Sequence, residues 1–214
     1  MFKSTIIATL CVGALGFAPQ QSPSSSSALK AADFSKEVGV QAPLGLFDPL
    51  NMLEDADQER FERLRYVELK HGRIAQLAFL GNVVTRAGFH LPGTIDYEGH
   101  TFDSYPNGLA ALFGPDSIPS GGLWQIFAFI GILELGIMNP DMASNMGVFE
   151  PEFRGDLRNG IKHGDKFAWD NFTPEQKLKK RAIELNNGRA AQMGILGLMV
   201  HEQLGGSIPL VGEM

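Results

Sequence analysis

The chain has 214 residues, a formal net charge of −6, an isoelectric point near 5.4 and a single cysteine, Cys11. An acidic balance without a basic stripe leaves nothing to neutralise a phosphate backbone and excludes nucleic acid as a partner, and one cysteine excludes a disulfide framework. The length suits one domain, and a mean hydropathy of −0.03 averages apolar blocks with polar, Gly- and Pro-rich connections.

The first thirty residues read as a leader. Lys3 opens a short positive region, Ile6 to Leu15 is an apolar run of signal-peptide length, and Ala14-Leu15-Gly16 offers small residues at a cleavage point. Phe17-Ala18-Pro19 and the Ser-rich, acid-free stretch from Gln20 to Ser27 then have transit-peptide composition. A signal peptide over 1–16 followed by a transit segment over 17–30 resembles the bipartite leader of plastids bounded by extra membranes. An ordinary secretory signal followed by a linker is the alternative. Either way Cys11 leaves with the leader, and residues 31–214 form the mature domain without a thiol.

Three later segments have the length and apolar content to cross a bilayer, at about 61–89, 122–138 and 174–204. At ~1.5 Å per residue the outer two reach roughly 40 Å, more than a ~30 Å hydrocarbon core, so they should tilt or protrude. Pro92, Gly93, Pro106 and Pro115 give the connection after the first segment turn chemistry throughout. The middle segment, with Gln125 and Glu134 in an otherwise apolar run, closes at Asn139-Pro140. Thr173-Pro174-Glu175 is a helix start signal for the third, and Gly205-Gly206 its stop. Arg60, Arg63 and Arg65 crowd the entrance of the first segment, and Lys177, Lys179, Lys180 and Arg181 that of the third. A positive-inside bias puts both entrances on one membrane side, which two spans in sequence from one to the other allow. A soluble helical bundle with buried ion pairs is the alternative.

The first and third segments repeat each other. Glu68-Leu69-Lys70-His71-Gly72-Arg73 returns 116 positions later as Glu184-Leu185-Asn186-Asn187-Gly188-Arg189, and Leu80, Gly81 and Val84 return as Leu196, Gly197 and Val200. An ionised side chain inside a membrane is costly and is usually paired and functional. Glu and Arg five residues apart point about 140° away from each other on a helix, so neither segment neutralises itself. If the two copies cross about a local two-fold axis, Glu68 meets Arg189 and Glu184 meets Arg73. Gly72 and Gly188 would then remove side chains where the backbones approach. Glu68 with His71, and Glu184 with Asn187, each share a face and offer two oxygen or nitrogen donors directed away from the crossing.

Other chemistries fit less well. Glu-x-x-His pairs occur in di-iron bundles, but the second copy has Asn187 in place of histidine, and each copy carries an Arg that opposes a dimetal site. A proton or ion conductor needs acids facing water, whereas cross-pairing consumes their charge. The sequence shows no nucleophile and base triad, phosphate loop or nucleotide motif, so an enzyme is not expected.

Glu68-Leu69-Lys70-His71-Gly72-Arg73 and Glu184-Leu185-Asn186-Asn187-Gly188-Arg189-Ala190-Ala191-Gln192-Met193-Gly194 resemble the first and third membrane helices of the light-harvesting chlorophyll-binding family. Leu198 to Gly205, Pro43 to Leu50 and Leu91 to Tyr97 are similar to its fucoxanthin–chlorophyll a/c members. The resemblance spans about residues 38–209. It implies an all-α fold of three transmembrane helices, the first and third crossing as a pseudo-two-fold pair. It also implies roles: Glu68, His71, Glu134, Glu184, Asn187 and His201 as axial ligands to chlorophyll magnesium, Arg73 and Arg189 as partners of the two glutamates, and Gln125 as a further ligand. Gln125 stands nine residues from Glu134 where eight are expected of green-plant relatives, a rotation of about 100°, which puts that assignment in question.

Gln76 and Gln192, at equivalent positions, read either as ligands or as amides bonding the neighbouring helix. His90, His100 and His163 lie in connections and read as solvated. By the same resemblance, Phe47-Asp48-Pro49-Leu50 and Trp169-Asp170 hold carotenoid head groups. The expected protein is a thylakoid antenna apoprotein that binds chlorophyll a, chlorophyll c, fucoxanthin and other xanthophylls. Its expected partners are membrane lipids, a photosystem core and other antenna subunits. A photoprotective, energy-dissipating member of the family is the alternative, and a membrane ion or proton conductor the alternative from another class.

Overall fold

The computed structural model describes residues 33–54, 56–137, 152–156, 169, 171–205, 207–208 and 212–213. The two leader segments, the stop at Asn139-Pro140, His163 and Asp170 lie outside the described residues. The fold is mostly helical, with α1 (Gln58–Arg86), a one-turn α2 (Ala110–Phe113), α3 (Ser120–Ile132) and α4 (Pro174–Leu204). A π-helical turn, Leu133–Ile137, continues α3, and two residues on each side, Ser207–Ile208 and Gly212–Glu213, pair antiparallel near the C-terminus.

Local chemistry sets the helix ends. The Asp57 side chain accepts the Arg60 amide at 2.8 Å and caps α1, with Glu59 in the first turn and Arg86 in the last to complement the dipole. The helix ends at Arg86, short of the Phe89 expected from sequence, because Gly88 adopts φ +83°. There Phe89 N–H donates to Val84 O at 3.2 Å and Gly88 N–H to Thr85 O at 3.0 Å, a Schellman closure. The bounds of α4 match expectation at both ends. Thr173 and Gln176 form a reciprocal capping box with Pro174 at N1, and Gly205 turns the chain with φ +70°. The middle helix starts earlier than expected, at Ser120, since Pro119 precedes it as N-cap.

The three expected spans do not stand out by apolar content. Among the described residues no helix is long and apolar enough to cross a membrane. The charges that define the repeat cause this: α1 carries Glu68, Lys70 and Arg73 mid-helix, and α4 carries Glu184, Arg189 and Glu202. The strongly apolar α3 has 13 residues.

Helices α1 and α4 cross with their backbones in contact. A Cβ on Gly72 would lie 2.9 Å from Gly188 Cα, and the converse holds for a Cβ on Gly188. Phe61, Leu69, Gly72 and Ala75 of α1 and Leu185, Gly188 and Leu198 of α4 are the buried residues of the pair. A small cluster of Phe34, Ala56 and Phe61, with Phe34 and Phe61 stacked at 4.4 Å, packs the incoming chain onto the start of α1. Large apolar side chains elsewhere stay uncovered. On α3, Trp124 and Phe127 are 69% and 68% exposed, and Ile132 is 68% exposed.

Candidate functional site

The crossing point holds two ion pairs in the crossed arrangement. Arg189 Nε donates to Glu68 Oε1 and Arg73 Nε to Glu184 Oε1, both at 2.7 Å. Each guanidinium also donates to a loop carbonyl ahead of its partner's helix: Arg189 Nη1 to Gly39 O at 2.8 Å, and Arg73 Nη1 to Gly155 O at 2.7 Å. Both glycines have positive φ, +93° and +96°, which suits residues without a Cβ. A Cβ on Gly39 would lie 3.1 Å from Leu185 Cδ1, and one on Gly155 2.5 Å from Leu69 Cδ2. Gln76 Nε2 reaches Glu184 O at 3.4 Å and Gln192 Nε2 reaches Glu68 O at 3.5 Å, so both amides bond the facing helix. The local two-fold therefore runs through side chains, backbone carbonyls and pre-helix loops together.

Above the crossed pairs the donors face outward. Glu68 and Glu184 are half-buried, and His71 and Asn187 are exposed. His71 Nδ1 lies 2.8 Å from Val67 O. A carbonyl can only accept, so Nδ1 carries the proton and Nε2 keeps its lone pair for a metal. His201 is exposed near the end of α4, and Gln125 is exposed on α3. Glu134 is half-buried, and its Oε2 accepts from Lys70 Nζ of α1. That bond neutralises the acid of the π-helical turn that continues α3 and leaves Oε1 as a donor. Neutralised carboxylates, an outward imidazole nitrogen and an outward amide are donors that a hard cation such as magnesium accepts.

The acid of the loop before α1 is held in place by the backbone that follows it. Asp48 Oδ1 accepts Met52 N–H at 3.1 Å and Oδ2 accepts Leu53 N–H at 2.8 Å, so this carboxylate braces its own turn. Beside it, a cavity of about 600 Å³ runs between residues 39–48 and α1, reaching Glu68, Asn186 and Arg189. Trp169 Nε1 donates to Glu152 Oε2 at 3.1 Å. His90 and His100 are also more than solvated connections. His90 Nδ1 pairs with Asp103 at 2.8 Å and His100 Nδ1 with Asp96 at 2.5 Å. The Asp96 hydrogen bond raises the His100 pKa above its ordinary value and correspondingly lowers that of Asp96.

Sequence reasoning passed over three features, and the 116-residue offset relates the residues of two of them. Gly39 and Gly155 stand at that offset, and so do Arg86 and Glu202, which form a third ion pair at 3.0 Å with side chains only 8% and 11% exposed. Glu202 Oε1 also accepts Ala110 N–H at 3.1 Å, and Gly108 leaves no room for a Cβ above the pair. The third feature is Arg65, whose Nη1 donates to Glu68 Oε2 at 2.8 Å.

Two crossed helices each neutralise the other's acid while turning oxygen and nitrogen donors outward, and together they define a mostly helical protein built on a charged helix crossing. The chlorophyll A-B binding protein family model matches residues 34–203. The chain belongs to that family. It is 64% identical over 212 residues to the chloroplastic fucoxanthin-chlorophyll a-c binding protein of Trieres chinensis, covering 99% of this chain and all of that one. It is 53% identical over 206 residues to the chloroplastic fucoxanthin-chlorophyll a-c binding protein D of Phaeodactylum tricornutum, covering 96% and 98%. Against the chloroplastic fucoxanthin-chlorophyll a-c binding protein F of Macrocystis pyrifera, identity is 53% over 185 residues, covering 85% and 81%.

Proposed function

We propose that this protein is a light-harvesting antenna apoprotein of the plastid thylakoid membrane, binding chlorophyll a, chlorophyll c and fucoxanthin and passing excitation to a photosystem. The observation that carries the reading is the pair of crossed Glu–Arg bonds with an outward donor one turn beyond each. Glu68, His71, Glu184, Asn187, Glu134 and His201 are the axial ligands in this reading. The pigments absorb and transfer excitation when bound; the chain sets their places and orientations rather than transforming a substrate.

The uncovered apolar surface agrees with this role. Contiguous exposed apolar area beyond a few hundred Å² marks a surface that something else covers. The α3 side chains Trp124, Phe127 and Ile132 are such a surface, and pigment rings, polyenes and lipid chains have the chemistry to cover it. The same argument reconciles membrane insertion with helices that fail on hydropathy. Buried charges are tolerated when paired and hydrogen-bonded, and the mid-helix charges Glu68, Arg73, Glu184 and Arg189 are each in a bond shorter than 3 Å. In this reading α1, α3 with the residues that follow it, and α4 span the bilayer, and residues 1–30 are removed on import.

Reconstituting the chain with chlorophyll a, chlorophyll c and fucoxanthin tests the assignment. The expected result is chlorophyll a fluorescence excited through the carotenoid and chlorophyll c bands. Fluorescence excited only through chlorophyll a's own bands would contradict it.

A further inference from the structure

The two halves of the crossing use one shared arginine position differently. Arg65 and Arg181 stand at equivalent places in the repeat, each three residues before the ligand glutamate. Arg65 bonds Glu68 Oε2 at 2.8 Å, and it is held there with its guanidinium 5.1 Å from the centre of the Phe61 ring. Arg181 instead lies 4.2 Å over the Phe153 ring, and among the described residues no bond joins it to Glu184. Glu68 therefore has a guanidinium on each oxygen, Arg189 on Oε1 and Arg65 on Oε2, while among the described residues Glu184 has one, Arg73 on Oε1.

The structure assigns Arg65, we infer, as a tuning residue that makes Glu68 the weaker magnesium ligand of two otherwise equivalent carboxylates. Each guanidinium bond draws charge from the carboxylate and occupies a lone pair that a metal would use. At Glu184, no described side chain occupies Oε2. At Glu68 a metal must displace Arg65 from Oε2 or share an oxygen with a guanidinium. The space for the group is present, since the cavity of about 600 Å³ is lined by Arg65, Glu68 and Arg189 together. The consequence is an order of affinity within one chain: the chlorophyll on Glu184 loads first and leaves last.

This inference rests on the antenna reading, and the test separates the two. The chain is reconstituted with chlorophyll a, chlorophyll c and fucoxanthin, and pigment loss is followed by absorption during stepwise detergent dilution. Glu68→Ala and Glu184→Ala assign the loss phases. With the phases assigned, Arg65→Met and Arg65→Gln should each slow loss from the Glu68 site several-fold, toward the ~10-fold that outer-shell partners carry, and leave the Glu184 phase unmoved. Arg181→Met should move neither. A structural role for Arg65 would give the opposite sign, since a loosened helix loses pigment faster. Unchanged or faster loss from the Glu68 site in both variants overturns the inference and leaves the antenna reading standing. If Glu68→Ala removes no chlorophyll, the ligand role of Glu68 falls and the inference falls with it.

Discussion

The Glu68 half and the Glu184 half of this protein share a sequence repeat, a crossed ion pair, a facing-helix amide and a glycine carbonyl that receives the partner arginine. They differ in what surrounds those shared parts. The Glu68 half packs its incoming chain through Phe34 and Phe61 and adds Arg65 to the carboxylate. The Glu184 half stacks Arg181 on Phe153 and draws Lys177 to Glu152 at 3.0 Å, leaving its own carboxylate with one partner among the described residues. The shared elements fix where two helices cross and keep four charges neutral. The unshared ones let two sites of common geometry take different affinities.

The largest effect should come from breaking the crossing itself. Gly72→Val puts a side chain where Gly188 Cα lies 2.9 Å from the Cβ position, and overpacking of this kind costs about 1–3 kcal/mol or more. The pigmented complex should fail to assemble or melt far lower, and Gly188→Val should do the same. Gly81 and Gly197 repeat equally well in sequence but have open space around a Cβ. Gly81→Ala should leave the melting temperature unchanged or slightly raised, by the helix propensity of roughly 1 kcal/mol. A melting point lowered as much by Gly81→Ala as by Gly72→Ala would remove the distinction between the two glycine pairs.

A smaller effect comes from the outward donors. His71→Leu keeps both ion pairs and the apolar helix, so it should lose one chlorophyll per chain with the fold intact, measured as pigment content after identical reconstitution. Asn187→Leu should lose one from the other half. Unchanged chlorophyll content would contradict the ligand role of His71.

The smallest effect lies in the connection after α1. His100 has a raised pKa through its hydrogen bond to Asp96, so the stability this bond contributes is complete below about 6.5, the ordinary value, and fades as pH rises through the raised one. Asp96 is lowered by the same bond, so its contribution fades only as pH falls through that depressed value. The pair should therefore hold the turn best in mildly acidic solution. NMR titration of His100 should give a pKa above 6.5, returning toward 6.5 in Asp96→Asn; a titration unchanged by that substitution would refute the pairing.

What the sequence made legible was the part repeated in it. Glu68, Arg73, Glu184 and Arg189 could be paired across helices because a five-residue spacing forbids pairing within one. Gly72 and Gly188 could be placed at the crossing because they sit between those charges. Gly39, Gly155, Arg86 and Glu202 follow the same offset, but they stand apart from the strongly matched run. Arg86 and Glu202 also differ in residue type, so the relation shows only when the chain is folded. The Lys70 bond to Glu134 had no pattern to announce it, since it depends on where a second segment comes to lie. Hydropathy alone does not mark α1 and α4 as spans, because it counts charges and does not know which are paired.

The central claim, that the two acids are neutralised across the crossing while serving as ligands, is tested most directly by a double-mutant cycle on the thermal stability and chlorophyll content of the reconstituted protein. Arg73→Leu alone leaves Glu184 without its cross-helix partner, at a cost below the ~3–5 kcal/mol of a fully buried pair because both side chains are about a third exposed. Adding Glu184→Gln removes the stranded charge and keeps an oxygen ligand, so stability and much of the pigment should return. Adding Glu68→Gln in place of Glu184→Gln should deepen the damage, since it strands Arg65 and Arg189 as well. Rescue by Glu68→Gln and not by Glu184→Gln would contradict the account.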